Sequence, residues 1–152
     1  MTLPNDLIKA ADRLLITPVT LTMGRRAVST AYYAVFHTVL QLCAAELLGA
    51  EFDAASPEYV TVYRALAHEG MRKSFQSGPL KDIAEIKAIG NRVLALQTER
   101  NDADYMPMRK GMYTLRQCRD IVQSARETIA EIEGLSPELR RTLAVNLLFK
   151  KR

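Results

Sequence analysis

The sequence is short of the residues on which most recognisable chemistry is built. It has two cysteines, Cys43 and Cys118, each on an apolar or small-residue face of a helical pattern. They read as small core residues in a reducing cytosol, and no disulfide is implied. It has two histidines, His37 and His68, which share no ligand spacing with each other or with the cysteines, so neither a zinc site nor any other metal or cofactor is expected. A Gly-rich phosphate loop, Gly-x-Ser-x-Gly and His-Glu-x-x-His are all missing. No low-complexity or Pro/Gly-rich linker divides the 152 residues, which predicts one domain over 1–152.

Nor is there a large charge of one sign. A net charge of +4 permits contact with nucleic acid without demanding it. Arg140, Arg141, Lys150, Lys151 and Arg152 crowd the last stretch, where Glu138 is the only acid. They form either a solvated basic tail or a phosphate contact. The start, "MTLPNDLIKA", has no basic residues ahead of an apolar run, so no secretory signal is expected and the predicted location is cytoplasmic. Residues Ala31 to Ala50 have about the length of a membrane span, but His37, Gln41 and Glu46 interrupt them. A long buried bundle helix, with no membrane contact, is the expectation.

What is present is a period of 3.6 from end to end, with no sustained alternation of period two, which predicts an all-α fold. A short first helix is expected over Asp6 to Leu15, closed by Thr17-Pro18, and a long second one over Met23 to Leu48, with Gly49 as its C′ residue. "SPE" occurs twice, offering a serine cap, a proline at the first helical position and a glutamate at the positive end of the dipole. These signals start a third helix, Pro57 to Gln76, and a last one, Pro137 to Phe149. Ser77-Gly78-Pro79 opens a fourth near Leu80, and Met106-Pro107 precedes a fifth that runs to Glu133. Leu115, Cys118, Val122, Ala125, Ile129 and Ile132 form the seam of that fifth helix. The expected architecture is an antiparallel bundle of four long helices with short flanking helices.

Candidate chemistry collects in two places. Ile86, Ile89, Val93 and Leu96 step by three and four, and the next position on that apolar stripe is Arg100, inside "ERNDADYMP". A guanidinium is costly to bury, and Asp102, Asp104 and Tyr105 lie beside it in sequence. On the second helix, Arg26, Thr30, Tyr33 and His37 form a polar stripe, which is either a core edge whose members satisfy one another or the wall of an accessible groove. His68, four residues from both Arg64 and Arg72, is a packed or surface histidine or else a general base.

These residues resemble a family. "GRRAVSTAYYAVFHTVLQL" followed downstream by "RNDADY" is similar to the HEPN domain superfamily, in particular its small prokaryotic members, over about Gly24 to Glu133. The first motif stands as Arg26, Ala27, Ala31, Tyr32, Tyr33, Ala34, Phe36 and His37, and the second as Arg100, Ala103, Asp104 and Tyr105. The resemblance implies a helical bundle that dimerises through the face carrying the arginine motif. It also implies metal-independent endoribonuclease or toxin activity, often with a small nucleotidyltransferase antitoxin as partner. The family's arginine is followed, after four to six residues, by histidine; after four residues this chain has Tyr105, and the next two positions are Met106 and Pro107.

The expectation is therefore a nucleotide- or RNA-binding module with a degenerate ribonuclease-type motif, in a toxin–antitoxin or defence system. The alternatives are an endoribonuclease using a non-standard base, and a purely structural helical interaction module. Arg100, Asp104 and Tyr105 are the catalytic candidates; Arg26, Tyr33, His37 and His68 are the phosphate- or RNA-binding candidates. Arg100 itself is either an anion clamp, whose planar fork suits a phosphate, or one half of an internal pair with Asp102 or Asp104. A homodimer is expected, because a two-fold interface accommodates such a cation most easily.

Overall fold

A computed structural model of the chain describes residues 2–107 and 111–149. Lys150, Lys151 and Arg152 of the basic tail, and the residues just after Pro107 where the fifth helix is expected to begin, lie outside the described residues. Among the described residues every regular element is helical: α1 Leu3–Leu14, α2 Leu21–Leu48, α3 Pro57–Ala65, α4 His68–Phe75, a 3-10 turn Leu80–Asp82, α5 Ala84–Tyr105, α6 Leu115–Glu133 and α7 Pro137–Leu148.

The capping signals act as their chemistry requires. Ser56 Oγ accepts the Tyr59 N–H at 3.1 Å and Ser136 Oγ accepts the Leu139 N–H at 3.3 Å, each serving one of the orphan donors of a helix start. Gly49, directly after α2, has φ +95°, the left-handed conformation that only glycine adopts cheaply.

α1 begins at Leu3, three residues before the expected Asp6, and three boundaries differ more. The long third helix is broken: Leu66 leaves the helical conformation at ψ 89°, Ala67 is extended at ψ 145°, and α4 restarts at His68. No proline or glycine marks that break. What accompanies it is burial, since Leu66 in the break and Met71 in the first turn of α4 are both inside. Three long helices, of 28, 22 and 19 residues, thus stand where four are expected. The fourth expected helix opens as the 3-10 turn, and α5 begins only after Ile83, which is extended. Finally, α6 begins at Leu115, behind a capping box in which the Thr114 N–H donates to Gln117 Oε1 at 2.9 Å and the Gln117 N–H donates to Thr114 Oγ1 at 3.2 Å.

The chain forms two compact units, Met1–His37 with Arg92–Ala130 and Thr38–Asn91 with Glu131–Arg152, so α2, α5 and α6 each contribute to both. By length and composition α2 could cross a membrane, but 61% of its most apolar window is buried inside the protein.

In the first unit, α1, the first part of α2, the last part of α5 and most of α6 bury Ile8, Val28, Tyr32, Val93 and Val122. Arg126 grips Asp12 through two hydrogen bonds, at 2.7 and 3.0 Å, and ties α6 to α1. In the second unit α4, the 3-10 turn and α7 pack together, and Arg140 of α7 pairs with Glu46 of α2 at 3.2 Å.

In the second unit α4 and α5 approach closely at Gly90. A Cβ on Gly90 would sit 2.7 Å from Phe75 Cδ1 and 3.2 Å from its Cβ, inside van der Waals contact with a ring that is itself buried. Glycine in an exposed helix interior costs about 1 kcal/mol relative to alanine, but here the added methyl has no room. Gly90→Ala should therefore lower stability by about 1–3 kcal/mol. A urea midpoint raised by the substitution would show that α4 gives way.

Candidate functional site

The first unit contains the arginine at the end of the α5 stripe. Ile86, Ile89, Val93 and Leu96 are buried as their spacing predicts, and Arg100 follows them inside with 7% of its surface exposed. Its Cζ lies 5.2 Å from the centre of the Tyr32 ring and 5.6 Å from that of Tyr33, so two aromatic faces take up part of the positive charge. One turn on, Asp104 Oδ2 stands 4.0 Å from Arg100 Nη1 and accepts the Ser29 hydroxyl at 3.2 Å. Arg100 Nε is buried with no hydrogen-bond partner.

The end of α5 is held by a residue the sequence reading passed over. Arg25 donates from Nε to the Ala103 carbonyl and from Nη2 to the Met106 carbonyl, the latter at 2.6 Å. It thereby serves carbonyls left over at the helix C-terminus. Arg25, Ser29 and Tyr32 lie on one side of α2 and meet positions 103–106, 104 and 100 in that order, so the two helices run antiparallel here.

The letters of "ERNDADYMP" sort by helix face. Arg100, Ala103 and Asp104 meet α2. Glu99 and Asp102 line the opposite side with Tyr113, Gln117 and Asp120, around an acidic cleft of about 410 Å³. The Tyr113 hydroxyl donates to the Glu99 carbonyl at 3.1 Å, and Tyr113 holds φ +54°, unusual for a side chain of its size. Burial, and then the neighbouring Asp102, raise the Glu99 carboxyl above its ordinary range. Among the described residues no group of three His, Cys, Asp or Glu side chains could hold a metal ion.

The α2 side has a smaller cleft of about 260 Å³, lined by Thr22, Arg25, Arg26, Ala103 and Asp104. It sits at the first turn of α2, where the helix dipole favours an anion. Arg26 is exposed there, and two guanidinium groups face one carboxylate whose own neighbour is Arg100.

Of the candidates, then, Arg100, Asp104 and Tyr33 are brought together, and Arg26 shares the cleft with Asp104. Tyr105, the last residue of α5, is 75% exposed and stands outside the Arg100 cluster. His37 packs its ring edge-on against Phe36, away from the cleft lining, and burial pulls its imidazole below the ordinary value. His68 opens α4 in the other unit. Tyr32 is pushed up to about 12 by burial, with Arg100 opposing the rise, so its phenol keeps its proton at neutral pH. Comparison with protein-family models, curated proteins and solved structures returned no match for this chain.

Two measurements probe this geometry. Arg100→Ala strands the Asp104 carboxylate, only 17% exposed, and leaves a cavity under two rings, so it should cost about 3 kcal/mol of stability, part of it recovered by adding Asp104→Asn. A loss below about 1 kcal/mol would mean that the pair carries no structural role. For His37 the sign follows from the lowered value: below about pH 6.5 the unfolded chain takes up a proton that the folded one resists. Stability present above that pH is lost as pH falls through it. The melting temperature should fall more on acidification in the parent protein than in His37→Gln; parallel curves would contradict this.

Proposed function

We propose that this protein is a nucleotide- or RNA-binding helical module of the HEPN type, with a ribonuclease-like motif that binds and does not cut. The observation that carries the reading is the open cationic cleft at the α2 start, directly beside the buried Arg100 pair. Arg26 offers it an exposed guanidinium, Thr22 a hydroxyl, and the α2 terminus a positive dipole end. The two motifs behind the resemblance also meet in space, since the rings of Tyr32 and Tyr33 from the first flank Arg100 from the second.

Cleavage through the ribose 2′-hydroxyl would need a base poised near neutral pH beside the phosphate. In this reading no histidine serves the cleft: His37 is not in its lining and His68 belongs to the other unit. Tyr105 stands where the family pattern has its histidine, and a phenol, with an ordinary pKa of about 10, is a poor base at pH 7.

The test is fluorescence anisotropy with a short labelled single-stranded RNA. Binding should weaken with salt on a shallow slope, near 0.7 in log K per log salt for each phosphate contacted. Arg26→Ala should weaken it about tenfold while leaving the helical circular dichroism unchanged, and the RNA should remain intact on a denaturing gel. Affinity indifferent to both salt and Arg26→Ala would refute the reading, and metal-independent cleavage would replace it with an endoribonuclease.

A further inference from the structure

Tyr105 is the most exposed of the large apolar or aromatic side chains among the described residues, at 75%, and it is exposed at a particular place. Its neighbours on both sides belong to the cationic cleft: Ala103 and Asp104 line it, and the Met106 carbonyl accepts a hydrogen bond from Arg25, which lines it too. Arg25 also binds the Ala103 carbonyl, so the backbone carrying Tyr105 is pinned two residues before and one residue after by the same guanidinium. The Met106 N–H completes the turn by donating to the Asp102 carbonyl at 3.1 Å. A ring on a pinned helix end loses less freedom on engaging a ligand than one on a loose loop. Met106 beside it, 39% exposed, extends the apolar lip.

From this juxtaposition we infer that Tyr105 is a stacking platform for an unpaired nucleobase whose phosphate lies in the Thr22–Arg25–Arg26 cleft. The substrate class is then single-stranded nucleic acid or a nucleotide, and not a bare phosphate or a duplex. The inference rests on the phosphate reading of the cleft and adds the base to it. A phosphate group alone would be met by the guanidinium and hydroxyl donors and would leave the ring idle. A duplex keeps its bases stacked on one another and presents no free face. An unpaired base offers an exposed phenol ring a face to stack on, and it does so whatever its identity, because every base has a π-face. The ring, and not the hydroxyl, does the work.

Three probes separate the parts: inorganic pyrophosphate, a single-stranded RNA hexamer, and the same hexamer annealed to its complement. Tyr105→Ala should weaken the single strand about tenfold and leave pyrophosphate unchanged, whereas Arg26→Ala should weaken both. Tyr105→Phe should retain parental affinity for the single strand. The chain has no tryptophan, so Tyr105→Trp provides a lone indole reporter, whose emission should be quenched by the single strand and not by pyrophosphate. If Tyr105→Ala binds the hexamer as the parent does while Arg26→Ala loses both ligands, the platform is wrong and the phosphate reading survives. If the parent binds neither single strand nor pyrophosphate, both fall. A Tyr105→Ala protein that keeps RNA affinity but shifts from dimer to monomer in light scattering would overturn the platform and make this lip a self-association surface.

Discussion

A guanidinium held almost wholly out of water at the end of an apolar stripe is the constraint around which the first unit is arranged. Removing such a charge from water costs several kcal/mol even after relaxation, and the cost must be met locally. Asp104 meets part of it, though at 4.0 Å it is a neighbouring charge more than a hydrogen-bonded partner. The rings of Tyr32 and Tyr33 meet another part. That in turn requires two consecutive tyrosines on α2, edge-on to each other at 5.6 Å, with Ala31 and Ala34 fully buried on either side so that the backbones can come close. Ser29 holds the carboxylate and Arg25 ties down the last turn of α5. One buried cation thus bears on the residue types of α2 between Arg25 and Ala34 and on its register against α5.

The parts of this arrangement legible in the sequence are those governed by local chemistry. The serine caps of α3 and α7, the left-handed glycine after α2 and the stripes of α5 and α6 need only a few neighbouring residues to specify them, and the chain shows each where its pattern stands. What failed was governed at longer range. The break at Leu66 and Ala67 has no breaker residue and coincides instead with the burial of Leu66 and Met71. The start of α6 is a different case. Thr114 and Gln117 make a capping box that the sequence displays openly, beyond the more conspicuous boundary at Pro107.

For the candidate site the limit was angular. Successive residues on a helix point about 100° apart, so a stripe identifies a face to within one residue and no better. Of the pair Arg25 and Arg26, the polar stripe selected Arg26, which is the exposed one; the structural work at the end of α5 falls to Arg25, one position back. The same rotation separates Arg100 and Asp104, which turn to α2, from Glu99 and Asp102, which turn to the acidic cleft, and from Tyr105, which is exposed and lines neither cleft. Nine consecutive residues carry three environments, and composition alone reads them as one charged cluster.

The separation bears on what the site can do. A buried cation whose charge is already shared with a carboxylate and two rings has less to give an incoming phosphate than an exposed one. An exposed cation such as Arg26 gives up only water. Transition-state stabilisation in phosphoryl chemistry needs donors aimed at the reacting oxygens and a base within hydrogen-bond reach of the nucleophile. Here Arg26 brings exposed donors to an open cleft, and the buried Arg100 is not among the residues that line it. On that division of labour the buried pair positions the end of α5, and the contact with ligand proposed above falls to the exposed Arg26 and Tyr105.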